Sequence, residues 1–304
     1  MAQPAATAEL EGRRIGRATV LFGPQRGKYP DGNSVLVEGS DRTLLIDPSL
    51  GVLPRRDQLP RVDLVVNSHC HEDHIAGNHL FPDATWHLHE LDLPGIRSLD
   101  AMMAIYGYSP AVSPGWRETV RDRFHFCARD DAVAYVDGEV FELGETRVRV
   151  IHAPGHTRGH CLLHIEPEDV LFLADMDLSS FGPFYGDAWS DLEDFECSLA
   201  RVREIDAAHY ATFHHIGVLD GREAFLERFD RFAAVIHTRE RRLLEYLKEP
   251  HTLDEIAETR FVYRPGDQVA NARDVEKRSM GLHIERLRQE GRVREVEPGL
   301  YLAP

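Results

Sequence analysis

Cysteine is scarce: Cys70, Cys127, Cys161 and Cys197 are the four in 304 residues. None forms a C-x-x-C pair and the spacings suggest no disulfide framework, so an apolar core must hold the chain without staples. Long apolar runs are missing too. Nothing approaches the length that spans a bilayer, and the start, MAQPAATAELEGRRIGRATV, carries no apolar run of signal-peptide type. The expectation is a reduced, cytoplasmic protein without membrane contact. Basic charge is in short supply: 35 Lys+Arg against 51 Asp+Glu gives a net charge of −16. Such a surface repels phosphate backbones, which disfavours nucleic acid as a partner, although a local patch or a bound cation can reverse the field at one site. A nucleophilic Ser-His-Asp or cysteine arrangement is also lacking.

Histidine is abundant, with 17 residues. They cluster as His69, His71 and His74, then His152, His156, His160 and His164, then His209, His214 and His215. Imidazole is the commonest metal-binding side chain, so the spacing within these clusters carries the information.

Hydrophobic patterning predicts an α/β chain. Residues 1–15 are polar and read as ill-ordered. ATVLFG reads as a strand, and NSVLVEG and RTLLID as a hairpin about Ser40-Asp41. VDLVVNS is a continuous apolar run, as in a strand buried on both faces, and it leads directly into His69. WHLHE, AVAYVDG, EVFELG, TRVRVIHA, CLLHIE, DVLFLAD and HYATFHH read as further strands. Residues 190–205 and 222–249 read as helices. The stretch from about 91 to 135 reads as an insertion with helical pieces. A change of character near Pro250 divides the chain into 1–249 and a small domain, 250–304, whose helix, helix and hairpin outline a winged helix.

The strongest motif is His69-Cys70-His71-Glu72-Asp73-His74 at the end of a buried strand. Strand residues i and i+2 share a face, so His69 and His71 converge on one ion while Cys70 packs into the core. Asp73 and His74 reach a second ion as the chain turns into a helix. His156, in Pro154-Gly155-His156-Thr157-Arg158-Gly159-His160, completes three histidines about the first ion, and His160 bonds the loop. Asp175 ends an apolar strand, where a carboxylate is costly unless paired or on a metal, and it is placed between both ions. His215 or His214 completes the second, with His215 favoured by register. Imidazole with carboxylate suits two zinc ions, or less specifically iron or manganese.

In order and spacing these motifs resemble the metallo-β-lactamase superfamily, with its glyoxalase II-like thioesterases, lactonases and lactamase-like ribonucleases. The resemblance runs over about residues 17–235. It implies a four-layer αββα sandwich with metals at one edge of two sheets, and it carries His69, His71, Asp73, His74, His156, Asp175 and His215 (or His214) over as ligands. Asp47 matches an acidic position that supports the histidine loop, and Ala174 stands where the family has glycine. The implied chemistry is hydrolysis of a small ester, thioester or lactone by a metal-bridging hydroxide, with Asp73 and Asp175 orienting it. Side activity on phosphotriesters or β-lactams fits the same site. Phe181, Phe184, Tyr185, Trp189 and Tyr106, with Tyr108, are the candidate pocket walls, and Tyr185 a candidate oxyanion donor.

Two other functions share the motifs. One is an RNA hydrolase using the C-terminal segment, but from residue 250 on nine Lys/Arg against ten Asp/Glu give −1 and no basic footprint. The other is a one-iron persulfide dioxygenase. For the C-terminal segment a packing or homodimer role is preferred to nucleic-acid binding, because winged helices often serve protein contacts.

Overall fold

The computed structural model describes residues 12–304. Of the polar start, residues 1–11 lie outside the described residues. Gly12–Ile15, expected to be ill-ordered, instead forms the edge strand β1, paired with β2 (Ala18–Leu21). Then follow the single turn α1 (Pro24–Gly27), β3 (Ser34–Glu38), β4 (Thr43–Ile46), β5 (Leu64–Val66), β6 (Thr85–His89) and β7 (Val133–Tyr135). These seven strands lie side by side in chain order, antiparallel from β1 to β4 and parallel from β4 to β7.

The second sheet holds β8 (Val140–Glu142), β9 (Arg147–His152), β10 (Cys161–Glu166), β11 (Val170–Phe172), β12 (His209–Ala211) and β13 (Val218–Asp220), again in chain order. β11 and β12 run parallel, and α6 (Leu192–Arg203) lies in the crossover between them.

Strand alternation builds the layers. In β3, Val35 and Val37 face the second sheet while Leu36 faces outward. The inter-sheet core joins Val20, Leu44, Ile46 and Val66 of one sheet to Val148, Leu163, Phe172 and Phe213 of the other. Both outer faces are covered by helices. α3 (Leu93–Arg97), α4 (Leu99–Tyr106) and α5 (Ser113–Asp122) lay Ile96, Met102, Ile105 and Val120 on Leu45, Val65 and Leu88. α6 and α7 (Arg222–Tyr246) lay Phe195, Leu199, Phe225 and Phe229 on Leu162, Leu171 and Tyr210. The result is an αββα sandwich. Each fully buried Leu or Phe contributes roughly 1.5–3 kcal/mol, against about 0–1 for a surface ion pair, so the layers hold the fold rather than its many surface ion pairs.

The segment read as an insertion is part of this frame. It supplies the outer helices of the first sheet and, in β7, the strand that extends it, so its helical pieces are core elements and not an appendage.

The last residues form β14 (His251–Thr252), α8 (Leu253–Thr259), α9 (Ala272–Gln289), β15 (Arg294–Glu297) and β16 (Leu300–Leu302), with sheet order β14-β16-β15. Their own core, Ile256, Phe261, Met280, Ile284, Leu287 and Val293, is completed by Leu243 and Leu247 at the end of α7. Among the described residues no helix is long and apolar enough to cross a membrane.

Candidate metal centre

The site forms at one end of the sheets, where loops after β4, β5, β9, β11 and β12 meet. β5 ends at Val66, and the chain turns at His71 into α2 (Glu72–Ile75), which brings Asp73 and His74 inward. Cys70 packs in the outer core as expected, but not by strand alternation: the strand has ended at Val66, and alternation carried on from Leu64 and Val66 would have turned Cys70 to the inter-sheet side.

Two groups of side chains converge. His69, His71, His156 and Asp175 form one, and Asp73, His74 and His214 the other; within each, one potential ligand atom per residue lies within 4.8 Å of the rest. In the first group the inward nitrogens are His69 Nε2, His71 Nδ1 and His156 Nε2, separated by 3.0, 3.2 and 2.9 Å. Nitrogens about 2.0–2.1 Å from one tetrahedral zinc stand roughly 3.3 Å apart, so this triangle has the right size. Asp175 divides its oxygens between the groups. Oδ2 is 3.0 Å from His156 Nε2, and Oδ1 is 2.9 Å from His74 Nε2. Asp73 Oδ2 is 3.1 Å from His214 Nε2.

The outward nitrogens decide what the inward ones offer. His156 Nδ1 faces the Phe184 carbonyl at 2.9 Å, and His214 Nδ1 faces the Gly27 carbonyl at 2.7 Å. A carbonyl only accepts, so both outward nitrogens carry the hydrogen. Asp47 Oδ2 faces His74 Nδ1 at 2.8 Å and also accepts the Ser68 hydroxyl at 2.6 Å. With its hydrogen so used, Ser68 Oγ can only accept from His69 Nδ1, 3.0 Å away. His71 Nε2 lies 2.9 Å from Asp187 Oδ2. All five imidazoles are thus held from behind with their second nitrogen turned to a common interior, which calls for a cation or for protons.

The electrostatics agree. Burial disfavours the His71 imidazolium, but Asp187, Glu72 and Asp175 outweigh it and raise its pKa to about 9. Burial also opposes the His214 imidazolium, and Asp73 and Asp175 again prevail, raising it to about 9. His69, buried among three other histidines, is pushed well below its ordinary value. Burial would raise the pKa of Asp175, but His74 and His156 hold it well below the usual range. His160 behaves as expected: Nδ1 meets the Ala153 carbonyl at 2.9 Å, and Nε2 accepts the Asp175 N–H at 3.3 Å. Burial and then His156 push it down to about 3, so it stays neutral and aims the Asp175 backbone.

The favoured position of the last histidine is corrected: His214, not His215, joins the cluster. The strand expected through HYATFHH stops at Ala211. A turn follows, closed by Thr212 N–H to Gly217 O and by Gly217 N–H to Thr212 Oγ1, so strand alternation no longer applies. Phe213 goes to the core and stacks on His74, with centroids 3.6 Å apart. His215 sits at the turn with φ 62°, its side chain 38% exposed and 3.9 Å from Asp177.

The aromatic candidates separate. Phe181 and Phe184 are half-buried, and Phe184 lies 5.7 Å from the His156 ring. Trp189 is half-buried beneath the Arg158 guanidinium. Tyr106 is buried and stacks on His71, while Tyr108 packs on Tyr106. Tyr185 is buried with its hydroxyl 2.9 Å from His283 Nε2, so that hydroxyl is committed to the fold and does not serve as an oxyanion donor.

Two residues at the site escaped sequence reasoning. Asp187 is 1% exposed and backs His71, yet it lies in an irregular loop with no periodic signal. Glu72 occupies a variable position of the motif. Its carboxylate accepts from Tyr29 at 3.0 Å and Tyr106 at 2.5 Å, and burial, then Asp73, raises its pKa to about 7.

Backbone strain gathers here. Ala174, just before Asp175, has φ 47°, which explains why glycine suits the position and implies about 1 kcal/mol of strain for alanine. Gly155 has φ 122°, and a Cβ there would meet the Phe195 backbone nitrogen at 2.3 Å. Gly155→Ala is therefore expected to destabilise the chain by at least about 2 kcal/mol and to displace His156, read as a lower Tm. An unchanged Tm would contradict this placement of the loop.

Comparison with known proteins follows the same lines. Residues 29–228 match the profile of the Metallo-beta-lactamase superfamily. The chain is 28% identical over 212 residues to acyl-coenzyme A thioesterase MBLAC2 of Gallus gallus, covering 61% of this chain and 72% of that protein. It is 28% identical over 208 residues to a hydroxyacylglutathione hydrolase of Methylococcus capsulatus, covering 65% of this chain and 70% of that one. A metallo-beta-lactamase family protein of Thermus thermophilus superposes with a TM-score of 0.71 at 23% identity, over 95% of this chain and 99% of that one, a likeness of fold. With the sandwich, the histidine motif at its edge and the profile match in agreement, the chain belongs to the metallo-beta-lactamase superfamily.

Proposed function

We propose that this protein is a hydrolase of small thioesters that holds two divalent cations, zinc by the chemistry of its donors. One ion would be held by His69, His71 and His156, the other by Asp73, His74 and His214, with Asp175 between them. The observation that carries the reading is the set of five imidazoles anchored from behind, each offering its free nitrogen to the same interior. The donor set fits the group: nitrogen and carboxylate oxygen, with buried Asp175 Oδ1 and His74 Nε2 otherwise lacking hydrogen-bond partners.

Divalent ions in such a site polarise a carbonyl oxygen and acidify water. The protein's residues supply the rest. Asp47, Ser68, Asp187 and the carbonyls of Gly27 and Phe184 hold the imidazole orientations. Asp73 and Asp175, kept ionised by neighbouring histidines, can accept hydrogen bonds from water and orient it. Half-buried Phe181 and Phe184 offer an apolar wall to an acyl chain. The thioester class is supported by the names of similar proteins, a thioesterase of acyl-coenzyme A and a hydrolase of hydroxyacylglutathione.

The test is a panel of acyl-coenzyme A, S-acylglutathione, lactone, phosphotriester, β-lactam and RNA substrates, with metal content measured on the same sample. Thioesters are expected to be the best substrates, with activity lost on chelation and restored by zinc. Thioester turnover that is absent, or indifferent to a chelator, would defeat the reading.

A further inference from the structure

The C-terminal segment makes two separate connections to the first metal cluster. Helix α9 buries Val275, Ser279 and His283 against the loop that follows Asp175. His283 Nε2 lies 2.9 Å from the Tyr185 hydroxyl, and a Cβ on Gly186 would meet Val275 Cγ1 at 2.4 Å, so helix and loop are in direct contact. Arg239 of α7, 2% exposed, clamps the other side of that loop by donating to the Phe181 carbonyl at 2.7 Å and the Pro183 carbonyl at 2.5 Å. Between these anchors the loop delivers two groups to the cluster. The Phe184 carbonyl fixes His156, and Asp187 backs His71.

The second connection runs through the start of α9. Asp274 Oδ2 accepts the backbone N–H and the hydroxyl of Ser109, each at 2.8 Å. Asn271 Nδ2 donates to the Tyr108 hydroxyl at 2.7 Å. Tyr108 packs on Tyr106, which stacks on His71 and bonds Glu72. Both routes end on His71 or His156; of the second cluster only Asp73 is near, since Tyr106 bonds the side chain and the N–H of Glu72, the residue before it.

We propose that α9 is a positioning element for the cluster of His69, His71 and His156, and that Tyr185, His283 and Asp274 are positioning residues acting through the 181–187 loop and the Tyr106–Tyr108 segment. The proposal rests on the metal-centre reading above. It makes the C-terminal segment part of the site's scaffold. Groups that orient metal-bound histidines typically change metal affinity about 10–100-fold when removed.

Zinc titration of the full chain against a competing chromophoric chelator tests it. Wild type is expected to take up two ions. Tyr185→Phe removes one hydroxyl and keeps the ring, and Asp274→Ala cuts the other route. Each is expected to weaken one of the two ions about 10–100-fold, to affect the other much less, and to alter the visible spectrum of the cobalt-substituted protein. Arg273→Ala, on the same helix but paired with Asp254 inside the C-terminal segment, is expected to change neither ion. If Tyr185→Phe and Asp274→Ala lower Tm while both zinc affinities and the cobalt spectrum match wild type, the role is structural only and the proposal fails. Equal weakening of both ions also overturns it. A wild-type chain that takes up no zinc overturns the metal-centre reading instead, and this one with it.

Discussion

Asp175→Asn is expected to lower kcat/KM for thioester hydrolysis by about a thousandfold or more, with bound zinc falling from two ions towards one. The reason is the division of its oxygens. Oδ2 stands 3.0 Å from His156 Nε2 and Oδ1 2.9 Å from His74 Nε2, so one carboxylate serves both clusters. An amide keeps the shape and the packing but offers a single acceptor, and its NH2 turns hydrogens towards one group. The side chain is only 15% exposed, so water cannot replace what is lost without opening the site. The fold is expected to survive, because the neighbouring Ala174 and Leu173 remain in their cores. Metal content and steady-state kinetics on the same preparation decide the matter. A variant that holds two ions and retains activity within tenfold would contradict the proposed place of Asp175 between them.

Zinc uptake near pH 7 is expected to release about two to three protons per chain. Without metal, His71 and His214 have pKa values raised to about 9, and His74 is held well above its ordinary value by Asp175, Asp73 and Asp47 against the cost of burial. The inward nitrogens that would bind zinc therefore carry protons at neutral pH, and the protons must leave first. Titration calorimetry in buffers of different ionisation enthalpy counts them, and the number should fall as pH approaches 9. The same shifts act on folding. A histidine whose folded pKa lies above its unfolded value adds stability that is fully present below about 6.5 and is lost as pH rises through about 9. The metal-free protein should therefore lose a few kcal/mol of stability between pH 6.5 and 9.5, and the zinc-loaded protein should not. Zinc binding without proton release at pH 7 would show that the inward nitrogens of His71, His74 and His214 are already unprotonated there.

Much of this was legible in one dimension. The run Leu64–Val66 is apolar at every position because both faces of β5 are covered, Leu64 and Val66 by the inter-sheet core and Val65 by the outer one. The histidine motif directly after it marked the site, although the strand ends at Val66, so its alternation does not carry on to His69, Cys70 and His71. Asp175 could be singled out because an aspartate ending the apolar run of β11 and Leu173 has to meet charge. Periodicity failed where the chain left regular structure. His214 and His215 could not be ordered by alternation, since the residues after Ala211 form a turn closed by Thr212 and Gly217. Residues 12–15 looked too polar for a strand, but an edge strand can pair its backbone with β2 while its side chains face water.

The identity of the motif residues, the two-sided burial of the strands that carry them and the superfamily to which they point were determined by local pattern, because ligand spacing on a strand or a first helical turn is a short-range property. Apart from Asp47, to which the family resemblance already pointed, tertiary structure alone decided which acceptor stands behind each imidazole. Asp47, the Gly27 carbonyl, and Asp187 with the Phe184 carbonyl come from three different segments, and no periodicity relates them. It also decided the surroundings of Tyr185, whose hydroxyl is held by His283, 98 residues away. Hydrogen bonds of that reach exist only once the layers have packed, since the backbone between their ends carries no record of the meeting.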